Sequence, residues 1–141
     1  MQSRDNPAPL RSIRPLSVLL AEDAPDLQAL IMRWLEETGC AVTCVASGRE
    51  IVRKIEQQSF DLLVTDILMP DGDGWDAIAE VHRLRPETKI LAMSGGAREM
   101  PASAVLRVAR GAGAIGVLQK PFTRPSFLEA IARVDATGAG R

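Results

Sequence analysis

Five polar side chains stand at the ends of short apolar runs of the sequence, and their chemical types complement one another. They are Glu22, Asp23, Asp66, Ser94 and Lys120. If these runs place them in one crevice, three carboxylates repel each other unless a cation compensates them. Mg²⁺ suits such a site, because it binds through a few carboxylates, keeps several waters and coordinates a phosphoryl group. With a hydroxyl and an ammonium group added, phosphoryl transfer is the predicted chemistry.

Asp66 is the predicted nucleophile of that chemistry. It ends a run that should be buried, and it is followed among glycines by Asp71 and Asp73. Because those two aspartates already supply the residues that a turn favours, turn formation does not explain Asp66. A carboxylate in this position can attack phosphorus and form an aspartyl phosphate.

These side chains meet only if the apolar runs are neighbouring parallel strands. The runs are strand-length and nearly continuous in hydrophobicity, which is typical of strands covered on both faces. They comprise residues 17–21, 41–46, 61–65, 89–93 and 116–118. Segments with a helical apolar period follow each run, and Ser47 with Glu50 forms a capping sequence before the second of them. Gly39 and Pro86 mark the ends of the first and third helical segments.

This alternation predicts an α/β protein of the doubly wound, flavodoxin-like (βα)5 class, with a five-stranded parallel sheet. Short connections imply right-handed crossovers. In the strand order 2-1-3-4-5, ligands bind at the carboxyl ends of the strands, between the first and the third. Glu22 and Asp23 end the first strand and Asp66 ends the third, so the acids are expected where the topology predicts a site.

The composition is that of a single globular domain. The 141 residues are 46% hydrophobic and 25% charged, with a formal net charge of −1 and no block of like charge. This balance gives no indication of nucleic-acid binding, and the apolar runs are too short to span a membrane. Residues 1–15 lack the apolar core of a secretory signal, so a cytoplasmic protein is expected. The predicted domain is 16–134, between flexible segments 1–15 and 135–141.

Two further features have structural interpretations. Cys40 and Cys44 are expected to be reduced, because a strand would hold their Cα atoms roughly 13 Å apart. His82, the single histidine, is expected on the surface of the third helix or partly packed. Residues 111–116 fit a dinucleotide-binding pattern, but they follow a helix rather than a strand, which predicts a helix stop and loop. Residues 71–74 are similar to the start of a calcium loop, but the twelfth position is His82 instead of the required glutamate, so no calcium site is predicted.

The set as a whole resembles the receiver domain of two-component response regulators. The resemblance runs from about residue 16 to 134 and rests on the motifs ED at 22–23, D at 66 with MP at 69–70 and DG at 73–74, SG at 94–95, and KPF at 120–122. It implies that Glu22, Asp23, Asp66 and the backbone carbonyl of Leu68 hold Mg²⁺. It also implies that Asp66 accepts phosphate from a sensor histidine kinase or a histidine phosphotransfer protein.

The resemblance assigns further roles at the ends of the last two strands. Ser94 and Lys120 would bind the phosphoryl oxygens, Ser94 would move toward the phosphate on activation, and the Lys120–Pro121 bond would be cis. The family often carries Tyr or Phe three residues before this lysine, where the present chain has Val117. Signalling is therefore expected to pass through the loop of residues 95–102 instead. Leu68 and Gly96 would flank the phosphoryl site.

Only seven residues follow residue 134, which predicts a stand-alone receiver whose output is contact with an unidentified protein or onward phosphotransfer. Two other functions remain open on the sequence. A phosphorylation-independent receiver-like interaction module would bind its partner equally well after substitution of Asp66. A phosphatase resembling haloacid dehalogenases would need an aspartate as general acid two residues after the nucleophile, and that position is Leu68.

Overall fold

The computed structural model of the chain describes residues 14–69, 74–95 and 101–137, which form five strands alternating with five helices. The elements, in chain order, are β1 Ser17–Ala21, α1 Pro25–Glu37, β2 Ala41–Val45, α2 Gly48–Gln57, β3 Leu62–Asp66, α3 Gly74–Leu84, β4 Lys89–Ser94, α4 Ala102–Ala112, β5 Gly116–Gln119 and α5 Arg124–Ala136. The strands pair in parallel in the order β2-β1-β3-β4-β5. The predicted fold class and strand order are confirmed.

The sheet separates two apolar clusters, as expected for strands covered on both faces. On one face the strand side chains pack against α2, α3 and α4, and on the other against α1 and α5. Along β1, Leu19 and Ala21 belong to the first cluster, whereas Val18 and Leu20 belong to the second. Full burial of each large aliphatic side chain contributes about 2 kcal/mol, so both faces hold the strands in register.

Helix boundaries follow local chemistry. The Ser47 side chain accepts a hydrogen bond from the backbone N–H of Glu50 and caps α2, as predicted, while the Glu50 carboxylate accepts from Ala46 N. A second capping box, between Thr123 and Ser126 at the start of α5, was not predicted. α5 continues through Ala136, two residues beyond the predicted end of the domain.

The sequence predictions for two helix-ending glycines, the cysteines and the histidine are confirmed by the fold. Gly39 follows α1 with φ 92°. Within residues 111–116, Gly113 with φ 124° ends α4, which confirms a helix stop before β5. Cys40 and Cys44 are free thiols. His82 is exposed near the end of α3. Within the described ranges, no helix is long and apolar enough to cross a membrane.

Candidate functional site

Three carboxylates converge at the carboxyl edge of the sheet. Glu22, Asp23 and Asp66 each offer an oxygen, and these oxygens lie within 4.8 Å of one another. Glu22 and Asp66 are buried, with exposures of 1% and 7%, whereas Asp23 is exposed. Two buried acids beside a third are costly unless cations compensate them, so this edge of the sheet is built to hold positive charge.

Strand register brings these acids together. β1 pairs with β3 so that Ala21 lies opposite Thr65, and the next residues along the two strands are Glu22 and Asp66. The backbone N–H of Glu22 also donates to Val45 O of β2, at 3.2 Å. The site therefore lies between β1 and β3, the crevice that the predicted topology specified.

Lys120 is the cation that the described residues supply to this crevice. Its Nζ donates to Glu22 Oε1 and to Asp66 Oδ2, both at 2.8 Å. The two acids lie 98 and 54 positions away in the sequence. The backbone of Lys120 is held as well, because its N–H donates to Ser94 O at 2.8 Å. Lys120 thus joins the ends of β1, β3 and β4.

Opposing influences act on the pKa of Lys120. Burial is the largest of them and lowers the pKa, but the hydrogen bonds to Asp66 and Glu22 and the charges of these carboxylates raise it. The net result is a pKa above the ordinary lysine value of 10.5. Lys120 is therefore charged at neutral pH.

The raised pKa predicts a pH dependence of stability. The folded protein holds the Lys120 proton more tightly than the unfolded chain, so this contribution is complete below the unfolded value of 10.5 and is lost as the pH rises through the folded pKa. Urea unfolding of the wild type and of Lys120→Met, without metal, should give curves of free energy against pH that converge on the alkaline side of this value. A constant difference between the two curves at alkaline pH would contradict the prediction.

The loop after β3 contacts the second oxygen of Asp66. Asp66 Oδ1 accepts a hydrogen bond from the backbone N–H of Leu68 at 3.2 Å. Leu68 itself is 61% exposed beside this contact. The backbone of Leu68 is therefore close to the carboxylates, and the metal contact of its carbonyl stays a prediction.

Gly74 brings the start of α3 against the same loop. Its N–H donates to Ile67 O at 3.0 Å. A Cβ on Gly74 would lie 2.3 Å from Ile67 O and 2.6 Å from Asp66 O, far inside normal contact distances. The position therefore requires glycine for steric reasons.

Ser94 lies at the end of β4, opposite Gln119 of β5, and is 9% exposed. Its backbone carbonyl accepts the hydrogen bond from the N–H of Lys120, so both residues lie at the same edge of the sheet. The role of Ser94 toward a phosphoryl group stays a prediction. Gly95 leaves room for the lysine, since a Cβ there would lie 3.0 Å from Lys120 Cδ. Residues 96–100, most of the loop through which signalling was expected to pass, lie outside the described residues, as do residues 71–73.

Aromatic packing near Lys120 lies on the face opposite Val117. Val117 is half-buried against the cluster beneath α2, α3 and α4. Phe122, two residues after Lys120, stacks on Phe127 with ring centroids 5.6 Å apart and meets the edge of Trp34 at 6.3 Å. The expected cis bond between Lys120 and Pro121 is present.

The whole arrangement has a counterpart among known proteins. The family model for the response regulator receiver domain matches residues 18–132. The chain belongs to this family. Receiver domains are phosphorylated by histidine kinases or phosphotransfer proteins, and this is the general function of the present domain.

Individual relatives agree with the assignment. The chain is 34% identical to the response regulator receiver protein CpdR of Brucella abortus over 74% of its own length and 84% of the relative's. It is 32% identical to the chemotaxis protein CheY of Thermotoga maritima, over 83% and 95%. The chain spans only 18% of the transcription factor SKN7 of Candida albicans, which it matches at 33% identity over 76% of its length.

A solved structure gives the comparison for the metal. The receiver domain of the sensor histidine kinase PA1611 from Pseudomonas aeruginosa aligns with a TM-score of 0.76 and 28% identity, covering 88% of the present chain and 100% of the other. That structure has a magnesium ion coordinated in its active-site cleft. The present receiver domain has the acidic cluster that such an ion requires.

Three features of the receiver site were missed by sequence reasoning. These are the ion pair between Lys120 and Glu22, the steric need for Gly74 and the contacts of Gln28, whose side-chain amide donates to Glu22 O. The sequence carries a weak signal for Gly74, since glycine after Asp73 fits a turn. It carries none for Gln28, which has the composition of an ordinary polar helix position.

Proposed function

We propose that Asp66 is the phosphoacceptor of this receiver domain and that it works with Mg²⁺ held by Glu22, Asp23, Asp66 and the carbonyl of Leu68. The observation that carries the proposal is the pair of 2.8 Å contacts that Lys120 makes with Glu22 and Asp66 inside the carboxylate cluster. A structural ion pair needs one acid for one lysine. Here three carboxylates lie together and the one lysine contacts two of them, which leaves negative charge for a divalent ion.

The donor set fits Mg²⁺, which prefers carboxylate and carbonyl oxygens and keeps several waters. When bound, the ion would neutralise charge on the carboxylates and on the phosphoryl group. The exposed Asp23 lies on the solvent side of the cluster, so the site has a route by which a hydrated ion enters.

Asp66, Lys120 and Ser94 each have a separate role in the proposed phosphoryl transfer. A carboxylate oxygen of Asp66 attacks phosphorus, the P–N bond to the donor's phosphohistidine breaks, and its electron pair returns to the imidazole, which takes up a proton. Lys120, already charged and directed at Asp66, stabilises the charge on the phosphoryl oxygens. The hydroxyl of Ser94, at the neighbouring strand end, would donate a hydrogen bond to an oxygen of the same group.

The donor is proposed to be a sensor histidine kinase or a histidine phosphotransfer protein, and the output a contact with a downstream protein. The exposed Leu68 offers apolar surface beside Asp66, on which such a donor would pack. A cytoplasmic location stays a prediction from the sequence.

We also propose that the chain is a phosphoacceptor and not an enzyme with turnover. The residue two places after Asp66 is Leu68, which has no proton to donate to a leaving group and contacts Asp66 through its backbone N–H. A haloacid-dehalogenase-like phosphatase needs a carboxylic acid there.

Incubation with Mg²⁺ and acetyl phosphate, followed by intact-mass spectrometry, tests the proposal. The wild type should gain the mass of one phosphoryl group, and the gain should disappear with excess EDTA and in Asp66→Asn. Asp76→Asn is the matched control, because Asp76 is an exposed aspartate in the first turn of α3, and it should be modified like the wild type. Equal modification of Asp66→Asn would refute the assignment.

A further inference from the structure

Glu22 and Asp23 follow the last paired residue of β1, and their placement depends on contacts outside the sheet. The N–H of Glu22 donates to Val45 O at 3.2 Å, and the Glu22 carboxylate accepts from Ala24 N at 3.0 Å and from Lys120. Asp23 differs, because none of the described residues bonds its carboxylate. The direction of Asp23 is therefore set by the backbone on either side of it.

Gln28 holds that backbone. From the first two turns of α1, its Nε2 donates to Glu22 O at 2.9 Å and reaches Val45 O at 3.4 Å. The first distance is that of a good hydrogen bond and the second that of a weak one. The Glu22 carbonyl belongs to the peptide unit that joins Glu22 to Asp23. The bond consequently restrains the rotation of the unit that directs Asp23.

We infer that Gln28 is a positioning residue for the metal site: its side-chain amide fixes the peptide between Glu22 and Asp23 so that both carboxylates face Asp66. This inference rests on the proposed metal site and adds a residue that acts through the ligands without contacting the ion. Groups of this kind orient ligands, and their loss typically weakens metal binding by 10- to 100-fold. Because the bond is to a backbone carbonyl and α1 remains, we expect the lower end of that range.

Gln28→Met tests the inference, since methionine keeps the length and helix propensity of the side chain but removes both N–H donors. Gln57→Met, at the end of α2 and exposed, is the matched control. Isothermal titration with Mg²⁺ should show a dissociation constant about tenfold higher for Gln28→Met and unchanged for Gln57→Met. Urea unfolding without metal, on the same samples, verifies that both variants are folded at the titration temperature.

A second readout separates positioning from general loosening. Mn²⁺ in place of Mg²⁺ allows the water-proton relaxation of the bound ion to report how many waters it keeps. A ligand that has turned away is replaced by water, so the bound ion should keep more water in Gln28→Met than in the wild type. An unchanged Mg²⁺ affinity in folded Gln28→Met would overturn the inference while leaving the proposed site intact. Absence of Mg²⁺ binding to the wild type would overturn both.

Discussion

Gly74→Ala is expected to destabilise the protein by about 3 kcal/mol, the upper end of the usual cost of overpacking. The added methyl group would lie 2.3 Å from Ile67 O and 2.6 Å from Asp66 O. Both neighbours are backbone atoms, so no side chain can rotate to make room. Gly74 has no positive φ, which means that the cost is steric and not conformational.

Gly111→Ala is the matched control for this substitution. Gly111 also lies in a helix, α4, but a Cβ there meets nothing within 4 Å. Alanine at this site should stabilise the protein by about 0.5–1 kcal/mol, because glycine is the poorer helix former. Urea denaturation of the two variants should therefore give shifts of opposite sign. Equal stability of Gly74→Ala and the wild type would show that Gly74 does not lie against the carbonyls of Asp66 and Ile67 as described.

Gly74→Ala should also slow the phosphorylation of Asp66. One of the two carbonyls that the new methyl group would displace belongs to Asp66 itself, at the point where the strand ends. Folded Gly74→Ala should therefore be phosphorylated by acetyl phosphate more slowly than Gly111→Ala, as followed by intact mass.

Lys120→Met is expected to weaken the metal-free protein and to tighten its binding of Mg²⁺. Removal of the Lys120 ammonium group leaves the buried Glu22 and Asp66 with unpaired charge. Breaking a fully buried ion pair costs 3–5 kcal/mol, and because the Lys120 side chain is 20% exposed, about 2 kcal/mol is a reasonable expectation here. A divalent ion then becomes the main counter-charge, so Mg²⁺ should restore more stability to this variant than to the wild type.

Phosphorylation separates the two roles of Lys120. The variant Lys120→Met is expected to bind Mg²⁺ at least as tightly as the wild type. It should nevertheless accept little phosphate, because the ammonium group that stabilises the phosphoryl oxygens is gone. Lys89→Met is the control. Lys89 is paired with Asp135 at 4.0 Å and begins β4, at the opposite edge of the sheet, so its loss should change neither Mg²⁺ binding nor phosphorylation. Weaker Mg²⁺ binding by Lys120→Met would contradict this account.

The fold and the positions of the main site residues were predictable because they depend on local sequence. Each of Asp66, Ser94 and Lys120 ends or follows an apolar run that is too short for anything but a strand, and parallel strands bring their carboxyl ends to one edge. The metal contact of Leu68 and the cis bond before Pro121 came from the resemblance alone, and the second of these is confirmed.

Features that depend on contacts between residues that are not neighbours in the sequence were not predictable. The sequence places no cation beside Glu22, and Lys120 reaches it only because β5 and β1 end at the same edge. In the sequence Gly74 is one of two glycines in its segment, and only the structure shows its contact with Ile67 O. Gln28 acts through one hydrogen bond to a carbonyl, which no periodicity reveals.

The most direct test of the central claim is to locate the phosphoryl group. Wild-type protein treated with Mg²⁺ and acetyl phosphate is reduced with borohydride, which converts an aspartyl phosphate to homoserine, and its peptides are sequenced by tandem mass spectrometry. We predict homoserine at position 66 and at no other aspartate, with none in Asp66→Asn or in protein treated with EDTA. Homoserine at Asp23, Asp71 or Asp73 in place of Asp66 would contradict the account.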